Sequence, residues 1–336
     1  MKKYLIITTL ATMCLSFSCT SMEDPEKLSH QDPAEQLGTK AYGDKSPKII
    51  AYVETNDTNP LNAGDYFTED GEPFVDIVEL FAANLWRETV GGAVRPVLHL
   101  NDKLTNILEN SGVDMYVKPL QEMGIKVLLT VICDWTGLGF ANMNDTQAQQ
   151  FAEIMAFAVE KYGLDGVGLN DEYANYQDSL VDGSFGNIIK KLHALLPPDK
   201  LITTFEWGYI DSSQINSEAG ALLDYAYTGY TYWNKTSSIA GMTNDRWAPS
   251  SYLLGNTYSN STLNLINYVS KRASDEGYGA IMTFNIRRSS DVDPMPVFQA
   301  MSDGIGCGTL YCDDGDRARD VVIVPYGYNI TYSDIQ

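Results

Sequence analysis

The sequence predicts an α/β fold, a (β/α)8 TIM barrel in which some helices are missing or replaced by loops. Two patterns point there: eight short apolar runs recur along the chain, and several are separated by segments of helical periodicity. No repeat and no domain boundary interrupts them, so residues 46–304 read as one domain. The runs are Ile49 to Glu54, Ile77 to Phe81, Val127 to Ile132, Gly166 to Asn170, Leu201 to Phe205, Leu223 to Thr228, Tyr252 to Leu254 and Ala280 to Asn285. The clearest helix is Gln147 to Tyr162, with Phe151, Ile154, Met155, Ala158 and Val159 on one stripe and Asn144 or Asp145 as N-cap. Asn187 to Leu196 ends at Pro197, and Leu263 to Ala273 ends before Gly277. Thr55 to Pro73 and Tyr232 to Pro249 lack such periodicity and read as loops where helices would be expected.

Residues 1–18 read as a secretory signal peptide, because two lysines precede an apolar stretch too short to span a bilayer. Ser18 then precedes Cys19, a pattern that makes Cys19 the expected acylated N-terminus and membrane anchor. Residues 19–45, rich in Ser, Asp, Glu, Pro and Gly, form a solvated tether. Glu23 and Asp24 close behind the cysteine resemble the acidic export signal of surface lipoproteins in Bacteroides-like bacteria, which implies a surface-exposed outer-membrane lipoprotein. Residues 305–336 form a C-terminal extension with one expected strand at Val321 to Pro325.

The composition is 44% hydrophobic and 11% aromatic, enough for a sizeable core. A formal charge of -21 argues against nucleic acid and against electrostatic docking on anionic lipid, since like charges repel. A neutral partner is more natural, and 21 tyrosines suit a sugar. Cys133 follows IKVLLTVI and reads as a buried free thiol; Cys307 and Cys312 close a small loop, and their spacing leaves a disulfide open. His30, His99 and His193 are far apart and lack ligand spacing, so neither a metal nor a cofactor is expected.

The chemistry centres on KYGLDGVGLNDEYANY, residues 161–176. Alternation in a strand sets Gly168, Asn170 and Glu172 on one face, and Val167, Leu169 and Asp171 on the other. If the apolar pair faces the covering helices, Glu172 stands at the C-terminal end of the inner face, where barrels perform chemistry. A lone glutamate is more often a cap or a surface ion-pair partner, so the surrounding residues must decide.

Those residues resemble the signature strand of glycoside hydrolase family 18, Asp-Gly-x-Asp-x-Asp-x-Glu. Asp165, Gly166 and Glu172 match, whereas Gly168 and Asn170 replace the two middle acids. The likeness extends along the domain to the endo-β-N-acetylglucosaminidases of the endoglycosidase H/F type. AYVETNDTNPLNAGDYF from 51, FAANL from 81, PLQEMGIKVLLTV from 119, GFANMND from 139, DYAYTGY from 224 and DEGYGAIMTFN from 275 have counterparts there in the same order. This resemblance implies cleavage between the two core N-acetylglucosamines of an N-glycan by substrate-assisted hydrolysis. Glu172 would protonate the glycosidic oxygen while the substrate's acetamido oxygen attacks the anomeric carbon. Asn170 would accept the acetamido N–H without supplying charge, and Tyr230, with Thr228 two residues before it, would grip the acetamido carbonyl. Aromatic rim residues Trp135, Trp207, Tyr232 and Trp233 would pack on sugar faces, and Asn285 matches a position near the site. Two functions stay open: a hydrolase weakened at Gly168 and Asn170, or a surface glycan-binding lipoprotein that kept the groove and lost turnover. On the first reading, Asn170→Asp with Gly168→Asp should restore strong activity.

Overall fold

The computed structural model describes residues 45–336 apart from 57, 177–178, 208, 230–232, 234–235, 285, 287–291 and 314–325. The chain runs β1 (Lys48–Glu54), β2 (Tyr66–Thr68), β3 (Ile77–Val90), β4 (Ala93–Leu100), α1 (Asp102–Leu108), α2 (Lys118–Glu122), β5 (Lys126–Cys133), α3 (Asp145–Tyr162) and β6 (Gly166–Asn170). It continues with α4 (Ser184–Leu195), β7 (Leu201–Glu206), α5 (Tyr209–Gln214), α6 (Ser217–Gly220), β8 (Tyr225–Thr228), β9 (Trp247–Ala248), β10 (Ser251–Leu253), α7 (Asn260–Asp275), β11 (Ala280–Phe284), α8 (Met295–Ile305), β12 (Leu310–Cys312) and β13 (Tyr328–Thr331). Parallel strands follow the order β10-β11-β1-β3-β5-β6-β7-β8-β9. β9 and β10 lie at opposite ends of this order, yet only Pro249 and Ser250 separate them in sequence. They are one barrel strand broken at a proline, which has no N–H to give to a ladder. The Ser250 carbonyl accepts Met282 N–H at 3.2 Å, so the barrel closes through the break. The strand expected at Tyr252 to Leu254 is therefore the second half of a longer one.

A hairpin is inserted between the second barrel strand and the helices α1 and α2 that lead to the third. β3 runs on past Phe81, and Gly91 and Gly92, at φ 61° and 83°, turn it into antiparallel β4. Both turn residues have positive φ, the geometry of a tight hairpin turn, and glycine reaches it without steric cost. The C-terminal extension is built into the domain at two places: β13 pairs antiparallel with β4, and β12 with β2. The strand expected at Val321 to Pro325 lies outside the described residues, as do Cys19 and the tether. Cys307 and Cys312 are not joined by a disulfide.

α3 begins with a reciprocal capping box between Asn144 and Gln147 and ends at Gly163 in the left-handed conformation. Its buried face and those of its neighbours press on the outer side of the strands through Val167, Leu169, Val127 and Leu129. A second, inner cluster fills the lumen and includes Tyr52, Leu128, Phe205, Tyr225 and Tyr227.

The N-terminal end of the barrel is clamped by aspartates. Asp76, Asp165 and Asp224 each stand just before a strand, and each carboxylate accepts a backbone N–H from the start of the strand beside it. The acceptor distances are 2.7 Å from Ile49, 2.9 Å from Val127 and 2.8 Å from Ile202. Asp165 also takes Lys126 Nζ at 3.0 Å and Gln121 Nε2 at 2.8 Å. The first acid of the signature motif is thus a bracket at the end of the barrel opposite Glu172. Replacing Asp165 by alanine strands the Val127 N–H and loosens Lys126, and should cost about 2–4 kcal/mol in urea unfolding while leaving the chemistry at Glu172 intact.

Candidate active site

β6 sets the geometry. Its register places Gly168 beside Thr130 and Thr203, and Asn170 beside Ile132 and Phe205, all facing the lumen. Glu172 follows two residues beyond Asn170 at the C-terminal rim, half-buried. Asn170 is 1% exposed, and its Oδ1 accepts the Glu172 backbone N–H at 2.9 Å, which folds the chain back over the strand end. Its amide nitrogen faces the Glu172 carboxylate and favours the ionised form. Burial is the larger influence and lifts the Glu172 pKa above the usual glutamate value; the nearby Glu54 carboxylate adds to the rise, and the Tyr173 hydroxyl opposes it. Burial that favours the protonated carboxyl suits Glu172 to the role of proton donor.

Below Asn170 lies a buried carboxylate that no sequence motif marks. Glu79 on β3 is fully buried in the lumen. Its Oε2 accepts Thr130 Oγ1 at 2.6 Å, and its Oε1 accepts Thr203 Oγ1 and Tyr227 Oη, each at 2.7 Å. A Cβ on Gly168 would lie 2.1 Å from Glu79 Oε2 and 2.9 Å from Thr130 Oγ1. Gly168→Asp, expected from sequence to help restore activity, therefore requires the Glu79 carboxylate to move off its Thr130 hydrogen bond.

Asp171 faces away from Glu172 and ties two rim loops together. Tyr176 Oη donates to it at 2.6 and 2.7 Å to the two oxygens and itself accepts the Ala141 N–H at 3.0 Å. The Tyr176 ring fills the space over Gly139, where a Cβ would come within 2.6 Å of the ring. Burial pushes Asp171 up to about 6 against the opposing hydrogen bonds of Tyr176 and Cys133, and burial likewise raises the Cys133 thiol.

The rim aromatics separate into distinct roles. Trp135 is 72% exposed on the loop after β5 and presents an open ring face at the mouth. Tyr173, 62% exposed, stands beside Glu172 and is a neighbour that no motif marks. Trp207 stacks on Phe205 at 5.0 Å and caps the lumen cluster. Trp233 is held on the outside of the barrel instead, with the Arg272 guanidinium 4.4 Å above its ring and Tyr278 edge-on at 5.2 Å. Thr228 pairs in register with Glu206, while Tyr225 and Tyr227 take the lumen face, so alternation turns Thr228 to the outer face. It is buried there, and its hydroxyl has no hydrogen-bond partner among the described residues. Neither Trp233 nor Thr228 is thus brought to Glu172, because the strand's two-residue period and the packing of α7 direct them outward. Tyr230, Tyr232 and Asn285 lie outside the described residues. Glu206, a residue without any motif, accepts Ser237 Oγ at 2.6 Å and Ser238 N–H at 2.9 Å, fixing the loop that carries Trp233.

The site is thus an eight-stranded parallel barrel with a half-buried carboxyl of raised pKa at its C-terminal rim and a polar side chain two residues before it, an arrangement compatible with glycoside chemistry. No family profile matches the chain. An endo-β-N-acetylglucosaminidase of Flavobacterium sp. (strain SK1022) is 33% identical over 256 residues, 74% of this chain and 77% of that protein. Endo-β-N-acetylglucosaminidase F1 of Elizabethkingia meningoseptica is 32% identical over 194 residues, 54% of this chain and 56% of that protein. EndoBT-3987 of Bacteroides thetaiotaomicron, solved with a Man9GlcNAc2Asn substrate, superposes with a TM-score of 0.61 at 25% identity, covering 74% of this chain and 63% of that one. In a second structure, with a Man5GlcNAc product, the TM-score is 0.66 at 24% identity, covering 82% and 64%. The chain belongs to the endo-β-N-acetylglucosaminidases of the endoglycosidase H/F type in glycoside hydrolase family 18. It spans less than two thirds of the F1 enzyme and of EndoBT-3987.

The raised Asp171 pKa has a definite sign. Because the folded value of about 6 exceeds the ordinary 3.8, its contribution to stability is fully present below the unfolded value and is lost as pH rises through 6. Asp171→Asn removes this dependence. The stability of the native protein relative to that variant should fall by up to about 3 kcal/mol between pH 4 and 7 in denaturant titrations.

Proposed function

We propose that this chain hydrolyses the bond between the two core N-acetylglucosamines of an N-glycan, high-mannose glycans included, by substrate-assisted catalysis. The observation that carries the reading is Glu172, a half-buried carboxyl of raised pKa at the barrel's C-terminal rim, with Asn170 locked beneath it on the lumen face. Glu172 gives its proton to the glycosidic oxygen as the bond breaks. The substrate's acetamido oxygen takes the anomeric carbon on the other side, so no enzyme nucleophile is needed. The Glu172 carboxylate left behind then accepts a proton from the water that opens the cyclic intermediate. Trp135 offers a ring face to a sugar at the mouth, and Tyr230, Tyr232 and Asn285 belong to the same proposal from sequence alone. Among relatives, the Man9GlcNAc2Asn and Man5GlcNAc complexes of EndoBT-3987 support this substrate class.

A second reading, a glycan receptor without turnover, draws on one specific feature. The Asn170 oxygen is already engaged by the Glu172 N–H, and its neutral amide supplies no counter-charge. The two readings part in one assay: the purified protein is incubated with a glycoprotein carrying high-mannose N-glycans, and mass loss is followed beside a Glu172→Gln control. Release that drops by about 10²- to 10⁴-fold in the control identifies the hydrolase. Calorimetric binding without release identifies the receptor. For the location of the protein we propose a lipoprotein anchored through Cys19 in the outer membrane and exposed at the surface. The signal sequence and the acidic pair Glu23 and Asp24 support this reading.

Asn170→Asp exchanges an amide that favours ionised Glu172 for a carboxylate that repels it. The variant should raise kcat by about 10- to 10³-fold, the range for regaining one electrostatic stabiliser. It should also move the alkaline limb of the pH–rate profile upward, because the acid holds its proton to higher pH.

A further inference from the structure

We infer that Glu79 is a positioning residue of the reaction: a fixed negative charge, delivered from β3 into the space that a side chain at position 168 would occupy, supporting the cationic sugar centre above it. This role rests on the glycosidase reading of the same site.

Three observations carry it. The first is occupancy, since a Glu79 oxygen lies 2.1 Å from where a Gly168 Cβ would stand, so residue 168 is a glycine and the carboxylate fills its place. Position 168 shares the lumen face with Asn170 two residues on, about 6.6 Å along the strand, and with the direction of Glu172 beyond it. The charge thus sits directly beneath the acetamido end of the site.

The second is the composition of its surroundings. Thr130, Thr203 and Tyr227 reach it from three different strands, and each contributes a hydroxyl donor. Burial raises the Glu79 pKa, and the two donors on Oε1 and one on Oε2 oppose that rise by favouring the ionised carboxylate. Burying a carboxylate costs several kcal/mol even when it is well hydrogen-bonded. If volume were the only requirement, an apolar side chain would fill this layer of the lumen at lower cost. The third observation is Tyr52, in register with Glu79 on β1 and 4% exposed. Its hydroxyl makes no well-directed hydrogen bond, and it feels the charges of both Glu79 and Glu172. Tyr52 thus reaches the buried carboxylate and is coupled electrostatically to the acid at the rim.

The test moves the charge without removing it. Steady-state release of high-mannose glycan is measured for the full-length protein and for Glu79→Gln, Glu79→Ala, Gly168→Asp and Glu79→Ala with Gly168→Asp, with thermal melting of each. We expect Glu79→Gln to lower kcat about 10- to 100-fold with KM within about threefold, since a charge acting on the transition state changes kcat and not ground-state binding. The double variant, which carries the carboxylate on β6 instead of β3, should recover most of what Glu79→Ala loses. A Glu79→Gln variant that keeps the native kcat overturns the inference, and so does a folded double variant as slow as Glu79→Ala. Where the double variant melts below the assay temperature, the Glu79→Gln kcat decides alone. Native protein that releases no glycan overturns the glycosidase reading and this role with it, whereas release by native protein that is unchanged in Glu79→Gln overturns this role alone.

Discussion

A carboxylate sealed inside a closed barrel must be met by donors on every side, and in this protein that requirement organises the lumen. Glu79 projects inward from β3, so the strands around it carry hydroxyls at that level: Thr130 on β5, Thr203 on β7 and Tyr227 on β8. The strand between β5 and β7 can carry no side chain there at all, and Gly168 is the result. The glycine and the glutamate are a single structural fact, written at positions far apart in the chain. Either alone would be unfavourable: Glu79 opposite a larger residue would clash, and Gly168 opposite an apolar residue would leave a void in a layer packed as densely as any interior.

The two ends of the barrel divide the remaining carboxylates by task. At the N-terminal end Asp76, Asp165 and Asp224 accept strand-start N–H groups and hold neighbouring strands in register. At the C-terminal end Asp171 accepts Tyr176 and fixes the rim, which leaves Glu172, the next residue, free of a structural task. Alternation separates the two: adjacent residues beyond a strand end face opposite sides, so one carboxylate can be buried as a bracket while the other opens on the groove. Asn170 completes this division by accepting the Glu172 N–H, which sets the direction in which the acid leaves the strand.

Whatever depended on local pattern was legible in the sequence. The barrel strands fall where the apolar runs are, α3 starts at its Asn144 cap, and the inner face of Gly168, Asn170 and Glu172 follows from alternation alone. What escaped depends on register or on contacts distant in sequence. The β3–β4 hairpin is an insertion ahead of α1 that a barrel pattern does not call for, although Gly91 and Gly92 carry its signal. The split at Pro249 was read as a loop end. Thr228 was assigned to the site through its spacing from Tyr230, but Tyr227 holds the lumen position and so turns its neighbour outward. Trp233 was assigned by its place after a strand, yet Arg272 and Tyr278, from α7 and the turn after it, take its ring. Glu79 was the largest omission: within Ile77 to Phe81 it is one polar residue in an apolar run, and only the pairing of five strands shows what surrounds it.

The same network bears on whether Gly168 and Asn170 mark decay or rearrangement. A barrel drifting away from catalysis is free to replace buried charge by apolar residues, which stabilises the fold, and the lumen is where that gain would be largest. Here the opposite holds. A carboxylate absent from position 168 is present at the same point in space, furnished with donors from three strands, while the acid at Glu172 keeps the half-buried setting that raises its pKa. Retention of a costly charge beneath an intact acid is what a rearranged enzyme requires and what a receptor for neutral sugars does not. The physical balance therefore favours turnover, with the neutral Asn170 as the one position where charge was given up and not relocated.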